Sequence, residues 1–274
     1  MENKFSVLMS VYINETKENF IACMDSLLTQ TAIPTEIVVV KDGPLNPILD
    51  ESLDQYQRTY PEMVRVVGYE KNCGLGYALA YGVKSCQYEL IARMDTDDIA
   101  RKDRFEKQLK EFSNHPDLMI CGSHIIEFVG EPKNVKGRRR VPLEDRQIRQ
   151  HGKWRNPFNH MTVMFRKSKI LAVGSYESYL LMEDYVLWAK ALQSKLGTVK
   201  NIDDYLVYAR AGDGLMERRG GISYLKKYIA GKRRMMEIGY INFFQYTFSI
   251  LSQLIVSTCP LRIRGYVFAK FLRS

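Results

Sequence analysis

The chain has 274 residues, 46% of them hydrophobic and 26% charged, which excludes a disordered or low-complexity protein and allows a large core. Its net charge of +9 comes entirely from residues 209–274, where 12 Lys and Arg stand against 3 Asp and Glu, whereas residues 1–208 hold 28 of each class. Because the body of the chain is neutral, the composition argues against a nucleic-acid-binding protein.

The cysteines and the N-terminal residues indicate in which cellular compartment the protein is expected. The cysteines are odd in number and lack C-x-x-C spacing, which argues against a zinc site and a disulfide framework: Cys23, Cys73, Cys86, Cys121 and Cys259. Residues 1–5 lead straight into a strand pattern, without the basic and apolar regions of a signal peptide. We therefore expect a catalytic body in the cytosol.

Strand and helix patterns alternate in the first half of the chain. Apolar runs predict strands at 5–11, 36–41, 63–67 and 90–94, and helical spacing predicts helices at 16–30, 47–60, 74–86 and 101–114. Continuous apolar strands separated by helices indicate a mostly parallel sheet with helices on both faces. The predicted fold class is therefore α/β.

The pattern is less regular in the second half. We predict strands at 118–128, 161–165 and 198–208, helices at 144–151 and 184–194, and a basic loop at 131–141 that contains Arg138, Arg139 and Arg140. Parallel-type strands followed by mixed elements predict a nucleotide-binding half at about 1–115 and an acceptor half at about 116–210.

An acidic turn, Asp95-Thr96-Asp97-Asp98, follows the predicted strand at 90–94. Open α/β sheets bind ligands at the carboxyl ends of their strands. Three close carboxylates repel one another unless a cation neutralises them, and oxygen ligands suit Mg²⁺ or Mn²⁺. The alternative is that Asp98 caps a helix beginning near Arg101 and the other two are solvated turn residues.

Three other predicted strands end in polar or aromatic residues. Their ends lie at Tyr12, at Asp42-Gly43 and at Asn72, and such ends converge on one crevice in a doubly wound sheet. Together with the acidic turn, they predict a pocket for a nucleotide diphosphate. A dinucleotide site is disfavoured, because the third glycine of the fingerprint is replaced by Leu79.

A second carboxylate pair, Glu183 and Asp184, begins a predicted helix. One carboxylate held beside a hydroxyl can act as a general base. The alternative is that Asp184 is a plain N-cap, because acidic residues are favoured at helix N-termini. Both readings hold if one carboxylate caps the helix and the other acts as base.

Five motifs in this order resemble family 2 glycosyltransferases, which have the nucleotide-diphospho-sugar transferase fold called GT-A. The motifs are SVLMSVY at 6–12, IVVVKDG at 37–43, N-x-G at 72–74, ARMDTDD at 92–98 with Arg104, and EDYVLW at 183–188. The resemblance covers about residues 5–210 and implies one catalytic domain at 1–210. It is strongest to bacterial enzymes that build capsule, exopolysaccharide or O-antigen units on a lipid carrier.

The resemblance implies a role for each strand end. Val11 and Tyr12 would bind the nucleotide sugar, with Tyr12 and Asp42 at the uracil and ribose and Asn72 nearby. Asp95 would face the ribose or sugar and, with Asp97, hold Mn²⁺ or Mg²⁺ in the manner of a DXD motif.

The remaining implied roles concern the support of the acidic turn and the acceptor. Arg93 and Asp98 would support the turn by pairing with each other or with Arg104. Asp184 would deprotonate the acceptor hydroxyl, with Glu183 beside it. His160 and Thr162 would lie on the acceptor side, and Arg210 would contact the diphosphate.

The predicted function is therefore an inverting, metal-dependent transfer from a UDP-sugar to a saccharide hydroxyl, the saccharide being carried by a polyprenyl-diphosphate lipid. One alternative is a sugar-1-phosphate nucleotidylyltransferase of the same fold, although residues 11–15 lack the glycine-rich basic loop typical of that class. The other alternative is a basic nucleic-acid-binding or membrane-binding module. We expect no nucleic acid partner.

The C-terminal segment, 211–274, is basic and amphipathic. Within 240–259 the polar residues Asn242, Gln245, Ser249, Ser252, Gln253 and Ser257 share one helical face, opposite Phe244, Phe248, Leu251 and Ile255. Cationic flanks stand before and after it, at Lys226, Lys227, Lys232, Arg233 and Arg234 and at Arg262, Arg264, Lys270 and Arg273. This pattern favours peripheral binding to the anionic cytoplasmic face of the inner membrane. The alternative is a helix packed on the core or in a dimer.

Overall fold

A computed structural model describes residues 4–179, 181–212 and 221–258. Its strands are β1 Phe5–Val11, β2 Glu36–Asp42, β3 Val64–Tyr69, β4 Leu90–Arg93, β5 Ile99–Ala100, β6 Leu118–Phe128, β7 Val135–Arg139, β8 Met164–Arg166 and β9 Thr198–Arg210. Its α-helices are α1 Lys17–Leu28, α2 Pro47–Thr59, α3 Leu75–Ser85, α4 Arg104–Asn114, α5 Asp145–His151, α6 Lys167–Ala172, α7 Glu183–Ser194, α8 Gly221–Glu237 and α9 Phe243–Thr258, and a 3₁₀ turn spans His160–Thr162.

All of these strands join one sheet in the order β3-β2-β1-β4-β8-β6-β9-β5, with β7 paired to β6. The strands β1 to β4 pair in parallel, as predicted for the first half of the chain. In the second half β8 runs antiparallel to both β4 and β6, and β6 pairs in parallel with β9. The parallel strands end together, which brings the predicted nucleotide side to one edge.

The sheet is covered on both faces because its central strands are apolar on both sides. Along β1, Leu8 packs in a core cluster with Val40 and Trp188, whereas Val7 packs in another with Phe105. Successive side chains of a strand point to opposite faces, so each cluster belongs to one layer of helices. The α/β fold class is confirmed.

Three segments differ from the prediction. The loop predicted at 131–141 contains the edge strand β7, which pairs with β6. Its exposed, Arg-rich sequence has no apolar pattern from which a strand could be predicted. The strand predicted at 161–165 begins later, at Met164, because a 3₁₀ turn precedes it. Helix α4 also begins later than predicted, at Arg104, after the short strand β5.

The described C-terminal region consists of α8 and α9, and the amphipathic pattern predicted within 240–259 falls on α9. Ser249 on the polar side of α9 is buried, whereas the predicted apolar side is exposed at Phe244, Phe248, Leu251 and Ile255. No helix in the described part of the chain meets the length and hydropathy needed to cross a bilayer. The predicted cationic flank at Arg262, Arg264, Lys270 and Arg273 lies outside the described residues.

Candidate active site

The acidic turn is compact. Carboxylate oxygens of Asp95, Asp97 and Asp98 all lie within 4.8 Å of one another, at the end of β4. Asp98 is buried, and its Oδ1 accepts the backbone N–H of Arg210 at 2.8 Å. The proposed capping role of Asp98 is therefore wrong, because the helix that follows begins at Arg104 and Asp98 instead holds the end of β9.

Burial and mutual repulsion raise the pKa values of this turn. The pKa of Asp97 rises to about 6, first because of burial and then because of Asp95 and Glu15. Burial also raises the pKa of Asp98, and its Oδ2 has no hydrogen-bond partner among the described residues. Three close hard-oxygen donors, one of them buried and unsatisfied, fit a divalent cation such as Mg²⁺ or Mn²⁺.

Sequence reasoning did not include Glu15 in the acidic site. Glu15 follows β1, is 9% exposed, and accepts the Thr96 hydroxyl and the Thr16 backbone N–H. It therefore ties the chain after β1 to the acidic turn and adds a fourth carboxylate to the local field. Tyr12 was selected because ligands bind at the carboxyl ends of parallel strands. The same argument could have found Glu15, which lies three residues further along the chain.

Arg93 is the buried cationic partner of the acidic turn. It is 1% exposed, and its Nη2 pairs with Asp95 rather than with Asp98. Arg104 does not pair with the turn either, because its Nη2 donates to the Arg93 carbonyl at 2.7 Å. Arg93 also lowers the pKa of Glu183, so its field reaches both carboxylate groups. Its Nε and Nη1 are buried without a partner in the described chain.

The predicted nucleotide side is organised around Asp42. Asp42 is 4% exposed, and its carboxylate accepts the backbone N–H groups of Cys73 and Gly74 at 2.7 and 3.0 Å and the Tyr69 hydroxyl at 2.8 Å. Gly43 is required here, because it has φ +82° and an added Cβ would lie 2.5 Å from the Asn72 backbone nitrogen.

The other nucleotide-side residues differ in exposure. Val11 is buried, Tyr12 is 44% exposed, and Asn72 is exposed while its amide donates to the Asp42 carbonyl at 3.0 Å. Tyr12 therefore presents its ring to solvent at the end of β1, whereas Val11 contributes to the core. The nucleotide-binding roles of these residues stay predictions.

The second carboxylate pair opens α7. Asp184 is not the N-cap, which is Met182; its Oδ1 accepts the Tyr185 backbone N–H at 2.7 Å, and its Oδ2 accepts the Asn156 amide at 2.6 Å. Asn156 was not anticipated from the sequence, because its link to Asp184 is long-range. Burial raises the pKa of Asp184 above its ordinary value.

Glu183 is the more buried member of the pair. It is 8% exposed, and burial followed by the charge of Asp184 raises its pKa to about 7. Its Oε2 has no hydrogen-bond partner within the described ranges. Helix α3 approaches closely at Gly76, where an added Cβ would lie 3.2 Å from the Glu183 Cβ and 2.7 Å from the Glu177 carbonyl oxygen.

The two predicted acceptor-side residues lie in the same 3₁₀ turn but have different surroundings. Thr162 is fully buried, and its hydroxyl donates to the Asn159 carbonyl at 2.8 Å. His160 hydrogen-bonds the Tyr176 hydroxyl at 2.9 Å and packs edge-on against Trp188. Burial, with the charge of Arg93, lowers the pKa of His160 well below its ordinary value. The structure thus packs His160 against Tyr176 and Trp188 and embeds Thr162 in the core.

Arg210 reaches the acidic turn from the end of β9. Its Nε donates to the Asp97 carbonyl at 3.0 Å, its Nη1 donates to the Gly130 carbonyl at 2.6 Å, and its guanidinium lies 4.7 Å from the centre of the Phe128 ring. The Arg210 side chain therefore lies beside the cluster of Asp95, Asp97 and Asp98. A residue that contacts a diphosphate bound at this cluster has to lie there. That contact itself stays a prediction.

Comparisons with known proteins agree with this arrangement. The family model described as Glycosyl transferase family 2 matches residues 6–172. The chain belongs to this family, and it is accordingly a glycosyltransferase.

Two relatives and one solved structure illustrate the similarity. The chain is 37% identical over 267 residues to the amylovoran biosynthesis glycosyltransferase AmsE of Erwinia amylovora, covering 97% of this chain and 98% of the relative. It is 33% identical over 270 residues to the UDP-Gal:alpha-D-GlcNAc-diphosphoundecaprenol beta-1,3-galactosyltransferase of Escherichia coli, covering 98% and 97%.

The solved structure is the mannosyltransferase PcManGT from Pyrobaculum calidifontis, in complex with GDP-Man and Mn²⁺. It superposes with a TM-score of 0.65 at 14% identity over 97% of this chain and 79% of that one. At this identity the likeness shows the fold alone, and it confirms the GT-A fold predicted from the sequence.

Proposed function

We propose that this glycosyltransferase transfers a sugar from a UDP-sugar to a hydroxyl of a lipid-linked saccharide, with inversion and with Mn²⁺ or Mg²⁺, in bacterial surface polysaccharide synthesis. The carrying observation is the acidic turn, where carboxylate oxygens of Asp95, Asp97 and Asp98 lie within 4.8 Å of one another at the end of β4. The Arg93 guanidinium pairs with Asp95, and its positive charge lowers the pKa values of Glu183 and Asp184.

The acidic turn supports the donor side of this proposal. Asp95, Asp97 and Asp98 would hold the cation, and a bound divalent cation supplies charge neutralisation of the departing diphosphate. The chain itself keeps the turn in position, because Arg210 and Arg93 hold it from two sides. The choice of UDP rests on the resemblance and on the donor named for the Escherichia coli relative.

Asp184 supports the acceptor side. Hydrogen bonds from Asn156 and from the Tyr185 backbone fix its two oxygens, so the carboxylate has a defined orientation. A base held in this way removes the proton from an attacking hydroxyl. A single base with direct attack from the face opposite the diphosphate inverts the anomeric carbon, whereas retention through two carboxylates needs both to flank the same bond.

The outward face of α9 supports a peripheral position on a membrane. Its exposed large apolar side chains are Phe243, Phe244, Phe248, Leu251, Leu254 and Ile255. A helix of a soluble domain normally buries its apolar stripe, and this one buries Ser249 instead. An apolar face beside cationic residues suits an anionic lipid surface on the cytoplasmic side, where a lipid-linked acceptor is reached.

The donor is tested with a panel of nucleotide sugars. The purified full chain is incubated with each UDP-, GDP-, ADP- or dTDP-sugar with Mn²⁺, Mg²⁺ or EDTA, and release of the nucleoside diphosphate is measured. We expect turnover with one or a few UDP-sugars and none in EDTA. Turnover only with a different nucleotide would refute the UDP assignment, and undiminished turnover in EDTA would refute metal dependence.

Membrane association is tested by flotation of the full chain with vesicles. We expect co-flotation with phosphatidylglycerol-rich vesicles, and the double variant Phe244→Ser/Phe248→Ser should remain at the bottom of the gradient. The matched control is Phe20→Leu, a core change far from α9 that should float like the parent chain. Equal flotation of the double variant would remove the α9 face from the proposal.

A further inference from the structure

Helix α8 buries a lysine against the start of α7. Lys232 belongs to the predicted cationic flank of the C-terminal segment, yet it is 0% exposed. Its Nζ donates to the Tyr185 hydroxyl at 3.0 Å and lies 4.5 Å from the centre of the Tyr185 ring. Burial lowers the pKa of Lys232 to about 7, and no carboxylate in the described part of the chain counteracts this effect. A buried cation without a counter-charge costs stability, which marks Lys232 as a candidate functional group.

The Tyr185 hydroxyl joins the two segments that hold the Asp184 carboxylate. This hydroxyl donates to the Gly152 carbonyl at 2.9 Å, and Gly152 is the C-cap of α5. Of the two Asp184 oxygens, Oδ1 accepts the Tyr185 backbone N–H and Oδ2 accepts the Asn156 amide. One oxygen is therefore held from α7 and the other from the segment that follows α5, and the Tyr185 hydroxyl ties α7 to that segment.

The chain between Gly152 and Asn156 forms a tight turn, in which two successive backbone N–H groups donate to the His151 carbonyl at 2.9 Å. The Asn156 Oδ1 accepts the Phe158 backbone N–H at 3.2 Å, and this bond sets the direction of the amide group. A displacement of Gly152 is therefore transmitted to Asn156 instead of being absorbed in a loop.

Two further contacts fix α8 relative to these segments. An added Cβ at Gly231, the residue before Lys232, would lie 2.7 Å from the Met182 Cβ, so α8 closely approaches the N-cap of α7. The Tyr240 hydroxyl, beyond the end of α8, donates to the Arg149 carbonyl of α5 at 3.2 Å. The Lys232 ammonium is thus delivered to the Tyr185 hydroxyl by a helix that is anchored on both sides of it.

We propose that Lys232 is a positioning residue for the base Asp184, which it orients through the Tyr185 hydroxyl. This inference rests on the proposed function, in which Asp184 is the base, and extends it by making a C-terminal helix part of the active site. A hydrogen bond from a cation polarises the hydroxyl that accepts it, so the ammonium strengthens the bond from Tyr185 to Gly152. That bond holds the turn that carries Asn156, and small displacements of a catalytic group are costly in rate.

Kinetics of the full chain test this role. The UDP-sugar that the parent chain turns over is supplied with Mn²⁺, and release of UDP is measured with water as the acceptor. We expect Lys232→Met and Tyr185→Phe each to lower kcat about tenfold at neutral pH and to shift the acidic limb of the kcat profile upward, while the KM for the donor stays within about twofold of the parent value. Tyr185→Phe keeps the cation and removes only the hydroxyl, so it separates the hydrogen bond from the charge.

A double variant and a melt distinguish positioning from a structural role. In an Asn156→Ala background, Lys232→Met should change kcat by less than about twofold, because the contact through which Lys232 acts is already gone. Equal losses in the two backgrounds would overturn the proposal. The melting temperature of Lys232→Met should equal or exceed that of the parent chain, since methionine fills the same space without a buried charge. A lower melting temperature with an unchanged pH profile would assign Lys232 a structural role instead.

Carbon-13 NMR of the chain labelled at its aspartate carboxyl groups observes the base without turnover. The Asp184 resonance is identified by its loss in Asp184→Asn. Its pKa should rise in Lys232→Met and in Tyr185→Phe, because the Asn156 hydrogen bond that lowers it is weakened. The control is Lys110→Met, an exposed change on α4 that removes the same charge and should leave this pKa and kcat unchanged.

The Asp184→Asn variant also separates the failure of this inference from the failure of the proposed function. Parent-like kcat in Asp184→Asn would refute the base assignment and the positioning role with it. A large loss of kcat in Asp184→Asn, together with parent-like kcat and an unchanged Asp184 pKa in Lys232→Met, would refute the positioning role alone.

Discussion

The two sides of the active site are built in opposite ways. The donor side consists of carboxylates at the ends of buried strands. Asp42 and Asp98 each accept a backbone N–H from elsewhere in the fold, and Glu15 accepts the Thr96 hydroxyl. The side on which we place the acceptor consists of Glu183 and Asp184 at the start of α7 and of Asn156 on the segment after α5. The donor side is therefore part of the core, whereas the proposed acceptor side is attached to its rim.

This difference explains how one scaffold can serve different acceptors. Changing Asp42 disturbs the start of α3, because its carboxylate holds the Cys73 and Gly74 N–H groups. Changing Asn156 alters a side chain of an irregular segment, and the Asn156 amide donates to the Asp184 carboxylate and, in the described chain, to no helix terminus. The donor side is thus constrained by folding, and the rim is open to variation.

The largest effect on activity is expected from a substitution of Asp97 on the donor side. We expect Asp97→Asn to reduce transfer below detection, because the turn loses one of the charges that a divalent cation requires. The melting temperature of this variant should also stop responding to Mn²⁺, which differential scanning fluorimetry measures. Asp54→Asn, an exposed change on α2, is the control and should behave as the parent chain. A full Mn²⁺ response in Asp97→Asn would remove Asp97 from the metal site.

The next largest effect is expected at Asp184. Asp184→Asn keeps the shape of the side chain and removes the base, so kcat should fall by about 100- to 10,000-fold. The KM for the donor and the melting temperature should change little, since asparagine has the same shape and its amide oxygen can accept the same Tyr185 N–H. Steady-state kinetics with saturating acceptor measure the effect. Wild-type kcat in this variant would end the base assignment.

Most of the donor side could be predicted from the sequence, and most of the rim could not. The bounds of β1 and β6 agree with the prediction, because long apolar runs bounded by polar residues are local signals. The edge strand β7 was predicted as a loop, since its charged residues carry no periodic apolar pattern. The Asn156–Asp184 and Glu15–Thr96 contacts are long-range, and no local pattern encodes them.

Arg93 is the buried counter-charge of Asp95 on the donor side, and its removal should affect stability more than rate. Arg93→Met leaves the acidic turn without its buried counter-charge, and breaking such a pair costs about 3–5 kcal/mol of unfolding free energy. Metal binding should become roughly tenfold tighter, since a neighbouring positive charge is gone. Urea unfolding in EDTA and Mn²⁺ titration measure the two effects. The exposed variant Arg58→Gln is the control, and weaker Mn²⁺ binding in Arg93→Met would contradict the argument.

Glu183 should make stability depend on pH. Its pKa is about 7 in the fold and about 4.5 when unfolded, so the folded chain retains a proton that the unfolded chain releases between these values. The free energy of unfolding therefore decreases as pH rises through this window, by up to about 3 kcal/mol. Glu183→Gln removes that decrease, and in EDTA its advantage over the parent chain should grow from pH 5 to pH 8. A constant difference across this range would refute a buried, protonated Glu183.

Asn156 gives the smallest and most specific effect, because it belongs to the rim yet acts on the base. Its amide donates to Asp184 and lowers the pKa of that carboxyl, so Asn156→Ala should raise the pKa. A base with a higher pKa is protonated at higher pH, which moves the acidic limb of the kcat profile upward. At neutral pH we expect a loss of about tenfold, and activity should recover as the pH is raised. A merely structural role would lower kcat equally at every pH. A shift of the acidic limb would therefore show that Asn156 sets the pKa of the base. A loss of kcat that is equal at every pH would show that Asn156 only supports the structure.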